Sequence, residues 1–223
     1  MKRYFFVRKI LWSTKMKTYQ LSPHSDQEYS QYLNRQSSHK GNAHRSVTTY
    51  GNVVITKGMG KAITEVFGDK IQNILAVGCR SQVEINFLQN FAQEVKGVDL
   101  YTSFDTPQII ASDMHLIGDI FKEKEFEIIY SSHSLEHSAR PDDLLVAMKK
   151  VSKKGGVFIV PPTAETDPGP TIGHPLWVWC LHPDRFTVPN IQIFIDEMCG
   201  KGFATVKYCE IIDSSNYSFC LEW

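Results

Sequence analysis

The sequence predicts an α/β fold: a doubly wound, mostly parallel, seven-stranded sheet with helices on both faces, ending in an antiparallel hairpin. Three observations predict it. From Gln72 onward short apolar runs alternate with helical patterns, which calls for crossover units and a parallel sheet. Near the end the rhythm changes, and two strand-like runs are separated only by "DSSN", so they must be antiparallel neighbours. At 223 residues and 42% hydrophobic composition, the chain fits one domain with a substantial core.

The elements follow in order. "SDQEYSQYLNRQ", Ser25 to Gln36, has an acidic first turn and Tyr29, Tyr32 and Leu33 on one stripe, so it reads as a short helix. A second helix over Val53 to Phe67 places Ile55, Met59, Ile63, Val66 and Phe67 on one side and stops at Gly68. "NILAVG" reads as the first strand, "EINFLQNFAQE" as a helix, "VKGVDL" as the second strand and "PQIIASD" as the third. "FEIIYSS" is the fourth strand; "DDLLVAMKKV" is a helix entered through Pro141 and ending before Gly155 and Gly156; "GVFIVPP" is the fifth strand. "VPNIQIFIDEMCGKGF" is a glycine-terminated helix, and "ATVKYCEII" and "YSFCLEW" form the closing hairpin. The expected organisation is a basic N-terminal arm over 1–24, N-terminal helices covering the cleft over 25–69, and the main domain over 70–223.

Charge narrows the partners. The chain is formally neutral, yet its first 25 residues hold six basic side chains and no acidic one, which leaves 18 basic against 24 acidic in the rest. A mildly acidic body is poorly suited to gripping a nucleic-acid backbone, so DNA is not an expected partner. Charges interrupt the apolar run of "MKRYFFVRKILWSTKMK", so stable membrane insertion is not expected. Five cysteines, none at C-x-x-C spacing, give neither a disulfide framework nor a thiolate zinc site, and a cytoplasmic setting is the simplest expectation.

In an open parallel sheet, ligands sit beyond the carboxyl ends of the strands near the point where strand order reverses. Asp99, ending the second strand, has the chemistry to accept from both hydroxyls of a ribose. Asp113, after the third, could accept from an exocyclic adenine amine while Met114 packs on the ring. Ser131, Ser132 and His133 follow the fourth strand, where they could equally line a cleft or cap a turn. His133, Glu136 and His137 form an H-x-x-E-H pattern whose spacing would project the three from one helical face. Between Pro161 and Phe186 lies a long Pro- and aromatic-rich segment with the composition of a lid or substrate pocket. Trp177 and Trp179 offer an apolar wall there, or core packing, and His174 or His182 a general base.

The order "ILAVGC", "GVDL", "ASDMH", "FEIIYSSHSLEH", "KKVSKKGGVFIV", closed by the hairpin, resembles the class I, Rossmann-like S-adenosylmethionine-dependent methyltransferases, and their small-molecule branch in particular. The resemblance covers roughly residues 70 to 223. It implies S-adenosyl-L-methionine as cofactor, held by Val77, Gly78, Cys79, Arg80, Asp99, Leu100, Asp113, Met114, Ser131 and Ser132, with His133, His137 and His174 as catalytic candidates. The family's first loop reads acidic-x-Gly-x-Gly-x-Gly; here Ala76, Arg80 and Gln82 replace the acidic residue and the later glycines, and only Gly78 remains. A dinucleotide needs such glycines at its pyrophosphate, whereas this cofactor has none, and Arg80 could hold its carboxylate as a fork. Relatives with E-x-x-E-H hold a divalent metal, but His133 stands at their first glutamate and no metal is assigned here. Amine methyltransferases resemble one another in a "(D/N/S)-P-P-(Y/F)" motif after the fourth strand; "SSHS" in that place points away from DNA amines. The expected reaction is O-methylation of a small molecule, sugar or glycan, with homodimerisation left open. A catalytically inactive scaffold and an RNA 2′-O-methyltransferase are the alternatives.

Overall fold

The computed structural model describes residues 30, 31, 33, 34, 62–79, 82–100, 107–138, 140–161, 184, 186–213 and 216–223. Seven strands form one sheet: β1 (Ile71–Val77), β2 (Ala92–Asp99), β3 (Ile109–Ala111), β4 (Phe126–Ser132), β5 (Ser152–Val160), β6 (Thr205–Asp213) and β7 (Asn216–Glu222). Their order is β3-β2-β1-β4-β5-β7-β6. Pairings from β3 to β5 are parallel, while β7 runs antiparallel to both β5 and β6. This is the doubly wound sheet with a closing hairpin that the sequence predicts. Strand order reverses between β1 and β4, so their carboxyl ends flank the crevice where such sheets bind ligands.

The helices are α1 (Gln82–Leu88), α2 (Ile117–Ile120), α3 (Pro141–Val151) and α4 (Val188–Cys199). α3 shows how sequence dictates placement: Pro141 opens it, Asp142 and Asp143 occupy its first turn and Lys149 and Lys150 its last, each sign matching the helix dipole. Its Leu144, Leu145, Met148 and Val151 are buried against one sheet face with Leu75, Ile129, Phe158 and Phe219. Each such side chain contributes about 1.5–3 kcal/mol by leaving water. The opposite face packs Ile74, Ala76, Tyr130 and Val157 against Ile63, Phe67, Ile85 and Leu88.

Several boundaries differ from expectation. The helix expected over "EINFLQNFAQE" ends at Leu88, and Ala92 to Glu94 belong to β2. Asn90 stops it: its side-chain amide donates to the Phe87 carbonyl at 2.8 Å, a local bond that competes with helix continuation. β5 begins at Ser152, four residues before the expected start at Gly156, so Gly155 lies inside the strand rather than before it. A Cβ on Gly155 would stand 1.9 Å from the Leu221 carbonyl oxygen of β7, so close strand approach, not a turn, requires that glycine. Of the helix expected over Ser25–Gln36, residues 30, 31, 33 and 34 are described and are helical. The end of the second expected helix is a π-helical turn, Ile63–Phe67, closed by Gly68 at φ 85°. The basic arm lies outside the described residues. Among the described residues no helix is long and apolar enough to cross a membrane.

Candidate active site

The carboxyl ends of β1, β2, β3 and β4 converge on the switch point. After β1, Gly78 adopts φ 76° and its amide, with that of Cys79, donates to the Val98 carbonyl of β2 at 2.7 and 3.2 Å. A Cβ at position 78 would fall 1.8 Å from Ser134 Oγ and 2.5 Å from Ser134 Cβ. The one glycine left in the loop is therefore the one against which the loop after β4 packs. Val77 and Cys79 are buried in the two cores, so any contact they make with a ligand runs through backbone atoms. Arg80 lies outside the described residues.

Asp99 ends β2, half-buried beside Leu100, and its carbonyl accepts from the Ser112 amide at 2.8 Å. That bond ties the loops after β2 and β3 together. Asp113 caps a 3₁₀ turn, Met114–Leu116: its Oδ1 accepts from the His115 amide at 3.0 Å and lies 2.7 Å from His115 Nδ1. Met114 packs, half-buried, against the α3 core.

At the end of β4, Ser131 is buried and its Oγ has no hydrogen-bond partner, while Ser132 is half-buried and its carbonyl accepts from Ser134 Oγ at 3.0 Å. His133 then turns the chain in the left-handed region, φ 49°, with its amide donating to the Ile159 carbonyl of β5 at 2.8 Å. A non-glycine residue in this region is strained, and such residues cluster at functional sites. The H-x-x-E-H stretch is therefore not one helical face. It is a left-handed residue followed by a 3₁₀ turn, Leu135–His137. His133 Nδ1 nevertheless meets Glu136 Oε1 at 3.4 Å, and His133 Nε2 lies 2.7 Å from Asn216 Oδ1 on β7. His137 is half-buried in the turn, its amide donating to the Ser134 carbonyl at 3.0 Å. His174, His182, Trp177 and Trp179 lie outside the described residues.

The electrostatics of this end are unusual. Glu136 is buried, and its Oε2 has no hydrogen-bond partner. Buried polar groups without partners are few in folded proteins, and those that exist mark strain, catalysis or a missing ligand. Beneath the site, Tyr130 is fully buried on β4, and loss of solvent pushes its phenol pKa well up, so it stays protonated. Among the described residues no group of three or more His, Cys, Asp or Glu could hold a metal ion.

Sequence reasoning missed Asn216, His115 and Ser138. Asn216 precedes a strand like any turn residue, and only the interior place of β7 brings it to His133.

A seven-stranded sheet of this order, with acidic residues ending β2 and following β3, defines the class I, Rossmann-like methyltransferase fold. Residues 75–160 match the family described as a methyltransferase domain, and that segment contains every loop just described on the β1 to β4 side. Over residues 75–160 the chain thus carries a methyltransferase domain. Solved structures agree on the fold. A 1,6-didemethyltoxoflavin-N1-methyltransferase from Burkholderia thailandensis, with bound 1,6-didemethyltoxoflavin and S-adenosylhomocysteine, superposes with TM-score 0.62 at 13% identity, covering 96% of this chain and 99% of that one. A magnesium protoporphyrin IX methyltransferase from Synechocystis PCC 6803 gives 0.52 at 10% identity, covering 88% and 99%. A SAM-dependent methyltransferase from Aquifex aeolicus gives 0.52 at 12% identity, covering 85% and 97%. No curated protein matches the chain.

Proposed function

We propose that the chain binds S-adenosylmethionine beyond the carboxyl ends of β1 to β4 and methylates a hydroxyl of a small molecule, sugar or glycan admitted from the β4, β5 and β7 side. The carrying observation is the donor and acceptor chemistry at the switch point. Two carboxylates, Asp99 and Asp113, end or follow neighbouring strands, as ribose hydroxyls and an adenine amine require, and buried Ser131 Oγ and Glu136 Oε2 have no partner among the described residues. Acceptor oxygens without a run of close amide donors suit a nucleoside bearing a sulfonium better than a pyrophosphate. The methyltransferase-domain match over residues 75–160 supports the same reading.

Bound there, the cofactor supplies an electrophilic methyl on sulfur. The residues of the chain do the rest. Asp99 orients the ribose, Asp113 reads the adenine edge, and Gly78 lets the first loop pass close to Ser134. Val77, Cys79, Arg80, Leu100, Met114 and Ser132 complete the proposed cofactor wall. In-line transfer to oxygen needs alignment and a place for the hydroxyl proton. His133 fits that task through Nδ1: Nε2–H donates to Asn216 Oδ1, which leaves the Nδ1 lone pair to take the proton beside Glu136, and about a third of the side-chain surface, 32%, is accessible. The neighbouring buried Glu136 carboxylate stabilises the imidazolium that forms. His137 and His174 remain candidates for contacts to the acceptor.

Calorimetric titration with S-adenosylmethionine and S-adenosylhomocysteine, on the native chain and on Asp99→Ala, tests this. Binding that weakens at least tenfold in the variant supports an active methyltransferase, and acceptor screening follows. No binding of either ligand to the native chain overturns it and leaves the scaffold reading.

A further inference from the structure

We infer that His115 is a positioning residue of this cofactor site: its ring ties the Asp113 carboxylate, after β3, to the Ser138 hydroxyl, after β4, and so fixes the spacing of the two loops. The inference rests on the proposed function and deepens it.

β3 is only three residues long, Ile109–Ala111, and pairs with β2 alone at the edge of the sheet. So short a ladder does little to fix the loop that follows. Yet Asp113 has to keep its place relative to a crevice lying across β2 and β1, about 14 Å from β4 at three strand spacings. The loops after β3 and β4 approach each other above the sheet, and His115 joins them there. Its Nδ1 lies 2.7 Å from Asp113 Oδ1, its Nε2 lies 2.7 Å from Ser138 Oγ, and Ser138 Oγ accepts from the Arg140 amide at 3.1 Å. Only 2% of the His115 side-chain surface is exposed, and Ser138 is fully buried.

A neutral imidazole is compatible with all three of these contacts. Nδ1–H donates to the carboxylate, the Nε2 lone pair accepts the Ser138 O–H, and Ser138 Oγ accepts the Arg140 N–H. The ring thus relays a fixed direction from a residue at the entry to α3 to the carboxylate proposed to read adenine. Aspartate, histidine and serine in this order are the parts of a hydrolytic triad. Here the serine is sealed in the core and already accepts an amide, so it is no nucleophile. Positioning is the role left to the set.

The deciding experiment compares the binding of S-adenosylhomocysteine and of S-inosylhomocysteine, in which the 6-amino group is an oxo group. The proteins are the native chain, His115→Ala, His115→Asn, which keeps a donor toward Asp113 but cannot reach Ser138, and Ser138→Ala. Melting curves run alongside. The native chain should prefer the adenosyl ligand by about tenfold or more, as a hydrogen-bonded edge does over its mismatch. His115→Ala should lose that preference through weaker binding of the adenosyl ligand alone, His115→Asn should retain part of it, and Ser138→Ala should weaken it. Native discrimination in His115→Ala, or equal losses for both ligands in all three variants, would overturn the positioning role. A native chain that binds neither ligand removes the proposed function itself, and the positioning role with it.

Discussion

Toward the amino ends of the strands, Lys96 lies 3.0 Å from Glu125 and 3.7 Å from Glu94, Glu127 accepts from the Gln72 amide at 2.6 Å and pairs with Lys154 at 3.3 Å, and Lys124 Nζ caps the carbonyls of Lys149 and Ser152. At the carboxyl ends, Ser131 Oγ, Glu136 Oε2, Gln82 Oε1 and Ser218 Oγ are buried without partners among the described residues, and His133 is held in the left-handed region. The amino end has its polar groups paired and in contact with water; the carboxyl end buries some unpaired. The first arrangement secures the fold; the second costs some stability, as the proposed site would require.

The sharpest break of that comparison is His133→Ala. It should lower the methyl-transfer rate by about 10²–10⁴-fold, the usual contribution of a general base, while cofactor affinity stays near native and the melting temperature falls, because buried Glu136 and Asn216 lose His133 as a partner. A rate within threefold of native would remove His133 from the chemistry. Glu136→Leu probes the same end from the stability side. An apolar side chain of similar size relieves a buried carboxylate, so denaturant midpoints should hold or rise while turnover falls.

Gly78→Ala should cost stability as well as function. The left-handed backbone penalises a Cβ by about 1–2 kcal/mol, and the collision with Ser134 adds about 1–3 kcal/mol of overpacking. Chemical denaturation reads the sum. An unaltered midpoint would show that the first loop can move away from Ser134.

The smallest effect belongs to the amino end. Partial burial pushes the Glu125 carboxyl pKa up, but the Lys122 amide and the Lys96 ammonium outweigh that and hold it below its usual value. The hydrogen bond to Glu125 raises the Lys96 pKa in turn. A depressed carboxylate stabilises above its unfolded pKa and loses that contribution as pH falls through the folded one; a raised ammonium loses its share only as pH rises through its own. Lys96→Met should therefore cost about 0.2–1 kcal/mol at neutral pH, as exposed pairs do, and nothing once the carboxylate is protonated. A cost that persists in acid would mean that the Lys96 stem, not its charge, is what matters. None of this should alter catalysis.

Much of the architecture was legible because it follows from pattern. Alternating apolar runs located the strands, Pro141 and the flanking acids opened α3, and "DSSN" forced the antiparallel hairpin. The retention of Gly78 was legible as a motif, but its reason, contact with Ser134 some 56 positions away in sequence (134 − 78), was not. The H-x-x-E-H spacing suggested a helical face, and a left-handed residue with a 3₁₀ turn brought His133 to Glu136 by another route. His115, Ser138 and Asn216 were invisible as site residues because their partners come from separate strands, and periodicity carries no information on which loops the sheet order sets side by side.

β7 is the latest strand in chain order, yet it lies inside the sheet, between β5 and β6. During vectorial synthesis β5 leaves the ribosome with an exposed edge that β6, the next strand made, does not close in the native order. The gap stays open until β7 inserts. An unpaired apolar edge is where nascent chains pair wrongly, so the interval between the synthesis of β5 and that of β7 is when this sheet is most exposed to aggregation. The same insertion delivers Asn216 to His133, so a chain caught before it would lack its sheet seam and the partner of His133 together.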